Sequence, residues 1–379
     1  MPWKETTAMS QRAEFIEQAQ AEGAKMSAVC REYGISRKTG YKWLKREREG
    51  GAAGLEDQPR RPKHSPGQTE AEMEAQVLAV RKEHPVWGGR KIRKVLQNQG
   101  ASGVPAASTI TAILRRSQQI DAQESLKHKP MQRFERERPN ELWQMDFKGY
   151  FALQAGGYCH PLTVIDDHSR FLVGLKACPN QRYETVQSQL TAIFRQFGLP
   201  EGMLMDNGSP WGDDWVTHHT ILTAWLLRLD IAVSHGRPYH PQTQGKDERL
   251  NRTLKDEVIS RHGMTDLAES QGVFDQWWHI YNYDRPHEAL QLATPASRYD
   301  TSPRPFPEVL PPITYEPEDI IRKVDQSGKI YFANRIFRVG KAFRYQPVAL
   351  RPIDEEEKFD VFFCKHKVAQ IQLGCDNLP

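Results

Sequence analysis

Apolar positions between residues 10 and 48 recur at helical spacing in three short runs. They predict helices over residues 10–21, 26–33 and 37–47, with a sharp turn at Gly34-Ile35 and Ser36 as N-cap of the third. In that helix Trp43 and Leu44 can pack inward, while Arg37, Lys38, Lys42 and Lys45 gather near one exposed side. Gly40 stands where an apolar core side chain is expected, and a mid-helix Gly costs about 1 kcal/mol against Ala. The spacing fits a helix-turn-helix whose last helix enters a DNA groove; the bland alternative is a small structural bundle.

Residues 59–67 are rich in Pro, so helix and strand are both excluded. Arg60, Arg61 and Lys63 make this an extended basic linker, suited to a minor groove or to phosphates, or a plain tether. A second helical group follows. Met73, Val77 and Val80 mark a helix over 70–83, Pro85-Val86-Trp87-Gly88-Gly89 breaks it, and a basic helix with Arg90 and Lys91 covers 90–99. A further helix starts near Pro105 and runs to about residue 116. This is a second helix-turn-helix, and the polar stretch from Ser117 to Pro139 reads as linker.

From Glu141 the period changes to that of strands. Segments 142–153, 158–165 and 171–177 are followed by a helix over 183–197, a strand at 202–206, a helix over 214–229 and a strand at 231–234. A long helix then passes through Glu248 to about residue 261. The next one, rich in Trp277, Trp278, Tyr281 and Tyr283, ends before Pro286; Trp277, Trp278 and Tyr281 read as core. Antiparallel strands followed by alternating helices and strands give an α/β, ribonuclease-H-like order. Beyond the Pro-rich link 302–312, short strand-like segments between 320 and 373 predict a small β-barrel. The expected chain is therefore multidomain: helix-turn-helix at 1–55, linker at 56–68, second helix-turn-helix at 69–117, linker at 118–139, catalytic core at 140–301 and barrel at 313–379.

At 379 residues, two to four domains are natural, and 38% hydrophobic content suffices for real cores. No apolar run spans a membrane, and the N-terminus lacks the apolar region of a secretion signal. Five scattered cysteines without a C-x-x-C pair indicate neither a disulfide framework nor a zinc site, which fits a reducing cytoplasm. Charge is uneven. Residues 1–138 carry 26 Lys and Arg against 17 Asp and Glu, and the remainder 26 against 31. A basic front on an acidic back suits a nucleic-acid-binding arm on a catalytic body.

Three carboxylates on three elements stand out. Asp146 lies in Trp143-Gln144-Met145-Asp146-Phe147, on a strand face shared with Gln144 and Lys148. Asp206 ends the next apolar strand, before Asn207-Gly208, where open α/β sheets meet ligands. Glu248 lies on a helix whose buried stripe is Leu250, Leu254 and Val258. It falls about 200° from Leu250 and shares its face with Arg252 and Lys255. Three carboxylates without His or Cys suit two Mg²⁺ ions and phosphodiester chemistry. Any one of them alone reads as a turn or surface residue. Asp166 and Asp167 read as turn residues, and Asp213 and Asp214 as helix caps.

The strings around Asp146, Leu204-Met205-Asp206-Asn207-Gly208 and His235 to Arg249 resemble the catalytic core of bacterial insertion-sequence transposases, itself similar to the retroviral integrase core. Val164 to Arg170 and Tyr281 to Leu290 extend the likeness over most of residues 140–300. The resemblance implies Asp146, Asp206 and Glu248 as a DDE triad holding two Mg²⁺ ions, with Mn²⁺ able to substitute. It implies an enzyme that binds terminal inverted repeats, cleaves 3′ ends and joins them to target DNA as a homo-oligomer on DNA, at the bacterial nucleoid and not at a membrane. Arg237 and Tyr239, on the loop entering the Glu248 helix, and Lys246, Arg249, Arg252 and Lys255 are candidate DNA contacts. There are two departures: 41 residues separate Asp206 from Glu248, more than in many relatives, and no N-terminal His-His-Cys-Cys module is present. A transposase-derived regulator with an inert core and a nuclease without strand transfer are the alternatives.

Overall fold

Thr7 starts the first helix by a capping box, its hydroxyl accepting from the Ser10 amide and the Ser10 hydroxyl accepting from its own. The computed structural model describes residues 7–57, 67–120, 135–211, 219–236, 245–353 and 357–373, in two compact units divided after Gln68. In the first, α1 (Ala8–Gln20), α2 (Met26–Glu32) and α3 (Arg37–Gly50) close on Phe15, Ile16, Val29, Cys30 and Leu55. Gly34 makes the turn at φ +64°, and the Ser36 hydroxyl caps α3 by accepting from the Thr39 amide at 3.1 Å. The apolar side chain expected at position 40 has no room. A Cβ there would meet Cys30 Sγ at 2.6 Å and Phe15 at 2.9 Å, so Gly40 is what lets α3 approach α1 and α2. Trp43 is half-buried between the Arg12 and Arg46 guanidinium groups, 4.1 and 4.7 Å from its ring.

In the second unit α4 (Ala71–Glu83), α5 (Gly89–Asn98) and α6 (Ala107–Arg116) enclose Val77, Val80, Trp87, Ile92, Leu96, Ile110, Ile113 and Leu114. Ile280 of the following domain packs against this core. The turn bearing His84 and Trp87, rings stacked 3.7 Å apart, faces Glu257, Arg261 and Trp277 across a narrow crevice.

The α/β domain is built on β1 (Trp143–Phe147), β2 (Phe151–Ala152), β3 (Tyr158–Asp166), β4 (Leu172–Cys178), β5 (Gly202–Met205) and β6 (Ala232–His235). The single strand expected over 142–153 is two, separated by a turn with Gly149 at φ +95°. Strands β1, β3 and β4 pair antiparallel, while β1–β5 and β5–β6 pair parallel, giving a mixed sheet. Helices α7 (Tyr183–Phe197) and α8 (Ile221–Arg228) cover one face over Trp143, Met145, Leu162 and Val164. The other face lies under α9 (Gly245–Leu254) and α10 (Leu267–His279), through Leu250, Leu254, Phe274, Trp277 and Tyr281. Both helices continue as single π turns, over Lys255–Ile259 and Ile280–Asp284. The predicted start of α8 and its caps Asp213 and Asp214 lie outside the described residues.

The C-terminal strands form an open sheet. Its order is β12 (His366–Gln372), β11 (Lys358–Phe363), β10 (Pro347–Pro352), β7 (Ile320–Lys323), with β8 (Lys329–Phe332) and β9 (Arg335–Arg338) as a separate hairpin. Hairpin and sheet share one core, Ile330 and Phe337 with Val348, Leu350, Val361 and Phe363. The expected closed barrel is not formed among the described residues: one core is wrapped by two sheets, but no ladder joins β7 to β12. Ala224 and Leu227 of α8 join this core, so the module packs on the α/β domain.

Candidate active site

Asp146 and Asp206 owe their proximity to strand pairing. In the parallel β1–β5 ladder Gln144 lies opposite Leu204, and two more residues along each chain bring Asp146 opposite Asp206. Burial, and next the Asp206 carboxylate, push Asp146 up to about 6. Asp206 is fixed by its turn. Its Oδ1 accepts from the Gly208 amide at 3.0 Å, and its carbonyl contacts His235 Nδ1 at 2.8 Å. Asn207 Nδ2 donates to the Gly236 carbonyl at 2.8 Å, pinning the ends of β5 and β6 together.

Helix α9 lies across this strand end. Asn251 Nδ2 donates to Asp146 Oδ2 at 3.0 Å. Glu248 is exposed, clear of the apolar stripe, and Arg249, Arg252 and Lys255 are exposed with it. The residue facing inward is Asp247: it is buried, and burial and the nearby Asp146 hold its carboxyl well above the usual range. No three His, Cys, Asp or Glu side chains among the described residues are grouped to hold a metal. The two aspartates thus stand side by side, while Glu248 is on the outer face of a helix that touches one of them.

Lys246 is turned into the fold. It forms an ion pair with the fully buried Asp167 and donates to its carbonyl at 3.0 Å. Burial and Arg170 draw Lys246 down to about 8, against the pull of Asp167. This pins the start of α9 to the β3–β4 turn and takes Lys246 away from the exposed phosphate-facing position expected of it. Asp167 also accepts from Gln144 Nε2 at 2.7 Å. Asp166 accepts from the Asn140 and Ser169 amides, both at 2.8 Å, so it organises the turn as expected.

Among the other DNA candidates, Arg37, Lys38, Lys42, Lys45 and Arg90 are exposed. Lys91 is half-buried against the α/β domain, where burial and the Arg285 guanidinium push it down to about 7. Beside it Arg285 and Glu257 form a buried pair at 3.1 Å, and Trp277 Nε1 donates to Glu257 at 2.9 Å. Arg60, Arg61, Lys63, Arg237 and Tyr239 lie outside the described residues. The sequence reading missed Asp247, Asn251 and Gln144 as site residues. Helical spacing could have found the first two, because Asp247 and Asn251 stand at i and i+4 on the edge of the Leu250–Leu254 stripe.

Comparisons with known proteins follow the same division. Residues 136–241 and 229–295 match models of the integrase core domain. Residues 11–63 match a helix-turn-helix domain, and residues 39–114 a homeodomain-like domain. Residues 319–377 match the IS481 family transposase C-terminal domain. A 31.7 kDa protein of insertion element IS407 from Burkholderia multivorans is 27% identical over 158 residues, covering 42% of this chain and 54% of that protein. The transposase for transposon Tn552 of Staphylococcus aureus is 27% identical over 237 residues, covering 56% and 47%. Among solved structures, the catalytic core domain of BIV integrase aligns at 20% identity over 42% of this chain and 92% of its own, with a TM-score of 0.32. The chain spans about half the length of these two curated relatives. Helix-turn-helix matches, two integrase-core matches and a transposase C-terminal match follow in that order along one sequence, an arrangement similar to that of insertion-sequence transposases with an integrase-like core.

Proposed function

We propose that this protein is a metal-dependent polynucleotidyl transferase that cleaves the 3′ ends of an insertion sequence and joins them to target DNA. The observation that carries the reading is the pair Asp146 and Asp206, side by side at the ends of β1 and β5, with α9 held against Asp146 by Asn251. Two carboxylates crowded enough for one to resist ionisation form an oxygen cradle for a hard divalent cation. In kind, these donors fit Mg²⁺ or Mn²⁺. Two bound ions would supply activation of the attacking oxygen and charge stabilisation at the leaving one.

The chain's own residues do the rest. Asp146, Asp206 and Glu248 would hold the cations. Asn251 orients Asp146. Arg249, Arg252 and Lys255, exposed along α9, grip phosphates, with Lys246 as the pin for that helix. Helix α3 reads the terminal inverted repeat through Arg37, Lys38, Lys42 and Lys45; Arg90 adds a backbone contact, and Arg60, Arg61, Lys63, Arg237 and Tyr239 complete the DNA path. Water cleaves one phosphodiester at each 3′ end. The freed 3′-OH then attacks a target phosphodiester in line, one P–O bond forming as another breaks, so no energy source is consumed. Paired ends need at least two protomers on DNA. In this reading the working parts are residues 1–55, 69–117, 140–301 and 313–379.

The test is strand transfer on terminal-repeat DNA with Mg²⁺, comparing wild type with Asp146→Asn, Asp206→Asn and Glu248→Gln. A loss on the order of a thousandfold or more in each is expected. Wild-type rates in the three variants would overturn the assignment. Cleavage without joined products would leave a nuclease instead.

A further inference from the structure

A buried carboxylate lies between β1 and α9. Asp247 is 2% exposed, and among the described residues neither of its oxygens meets a hydrogen-bond donor. Two amide oxygens share this condition: Asn251 Oδ1 and Gln144 Oε1 are buried and unpaired. All belong to one place. Asn251 is one turn along α9 from Asp247, on the same face, and its other amide atom holds Asp146 at 3.0 Å. Gln144 precedes Asp146 by two residues on β1, hence on the same strand face, and its other amide atom is bonded to Asp167 at 2.7 Å. The amide nitrogens are spent on Asp146 and Asp167, so neither is available to Asp247. Lys246, the nearest cationic side chain in sequence, is paired with Asp167.

A carboxylate charge buried this way is costly unless something positive meets it. A proton would neutralise Asp247 and still leave surplus acceptors around it. A hard cation, which takes six or more oxygens including amide carbonyls, uses them together. We propose that the buried contact between β1 and α9 binds a divalent cation through Asp146 and Asp247, with the amide oxygens of Gln144 and Asn251 completing the set, before DNA is bound. Asp247 is then a ligand outside the Asp146–Asp206–Glu248 triad. Its neighbour Glu248 stays on the outer face of α9, free for the DNA-bound state. The inference rests on the reading of Asp146 as a cation ligand.

The experiment is a Mn²⁺ titration of the full chain without DNA, followed by calorimetry and by the metal-dependent rise in melting temperature. Asp247→Asn, Asp247→Val, Asp146→Asn and Glu248→Gln are compared. Asp247→Asn is expected to weaken Mn²⁺ binding roughly tenfold or more. Asp247→Val, which removes the buried charge altogether, is expected to melt higher than wild type without metal and to lose the metal-dependent rise. Glu248→Gln, on the outer face of α9, should weaken DNA-free Mn²⁺ binding less than Asp247→Asn does. Unchanged binding in both Asp247 variants overturns the inference, and if Asp146→Asn and Glu248→Gln still lose strand transfer, the triad reading survives it. Loss of Mn²⁺ binding in Glu248→Gln with retention in Asp247→Asn also overturns it. If Asp247→Asn misfolds, the valine variant answers alone.

Discussion

The two three-helix units carry similar charge on similar helices and put it to different use. In the first, α3 presents Arg37, Lys38, Lys42 and Lys45 to solvent while its inner side closes on Phe15 and Cys30. In the second, the basic helix α5 turns Lys91 toward the α/β domain, where Arg285, Glu257, Arg249 and Glu288 surround it. The difference teaches that a basic helix is a phosphate ligand only where no protein wall stands in front of it. Nothing within the helix itself decides this.

The wall is the first thing to break. Arg285 and Glu257 are each 8% exposed, so removing one leaves the other buried and uncompensated. Arg285→Ala is expected to destabilise the protein by about 3–5 kcal/mol. Urea unfolding of the full chain checks it, and the double variant Arg285→Ala with Glu257→Ala should recover much of the loss. A cost near zero for the single variant would mean that the α5 face is not held by this pair.

Next comes the free face. Replacing Arg37, Lys38, Lys42 and Lys45 by Gln should weaken binding to terminal-repeat DNA by about 2–3 kcal/mol. It should also flatten the dependence of affinity on salt, by up to about 0.9 in slope for every phosphate no longer neutralised. Lys91→Gln should leave that slope unchanged. Fluorescence anisotropy over a range of salt separates the two, and equal slopes for Lys91→Gln and the four-site variant would erase the contrast between the units.

Lys91 also carries a pH signature. Its folded value is drawn down to about 7 by burial and then by Arg285, with Arg249 acting in the same direction and Glu257 and Glu288 opposing. An unfolded lysine titrates near 10.4. Between about pH 7 and pH 10 the unfolded chain therefore binds the extra proton, and stability rises with pH across that window. Below pH 7 both states are protonated and the full penalty applies. Lys91→Met should stabilise the protein at pH 7 by on the order of 2 kcal/mol and lose the advantage by pH 10. The buried His287 faces the same cluster, so the comparison belongs above pH 7, where that imidazole is neutral.

What the sequence discloses follows from the range of each interaction. Helix periods and turn residues act within a few positions, and α7 falls on Tyr183–Phe197 as its apolar spacing predicts. The order of strands and helices from β1 to α9 is legible for the same reason. Gly149 splitting one expected strand into β1 and β2 is local too, but its φ is not written in the period. Gly40 needed the opposing surfaces of Phe15 and Cys30 to make sense. Barrel closure depends on which edges meet, and strand patterning does not encode that. At the site, Asp146, Asp206 and Glu248 could be named from strings, yet the inward turn of Asp247 and the pairing of Lys246 with Asp167 depend on partners far away in sequence. The same holds for Lys91: its wall comes from residues beyond 245.

The smallest effect sharpens the comparison most directly, because it concerns how each unit starts a helix. Ser36 caps α3 with its hydroxyl on the Thr39 amide. Ala106 occupies the equivalent position before α6 in an extended conformation, φ −59° and ψ 150°, with no side-chain oxygen to offer. The orphan amides at the start of α6 therefore lack the partner that those of α3 have. Ser36→Ala should cost the first unit about 1 kcal/mol, and Ala106→Ser should gain the second about 0.5–1 kcal/mol. Hydrogen exchange on the full chain, read separately over α3 and α6, reports each change where it acts. Opposite shifts of similar size are expected, confined to the substituted unit. If Ala106→Ser leaves α6 protection unchanged, that helix is held by Ile110, Ile113 and Leu114 in its core rather than by its first turn, and the second unit differs from the first in how it is stabilised as well as in what its charges face.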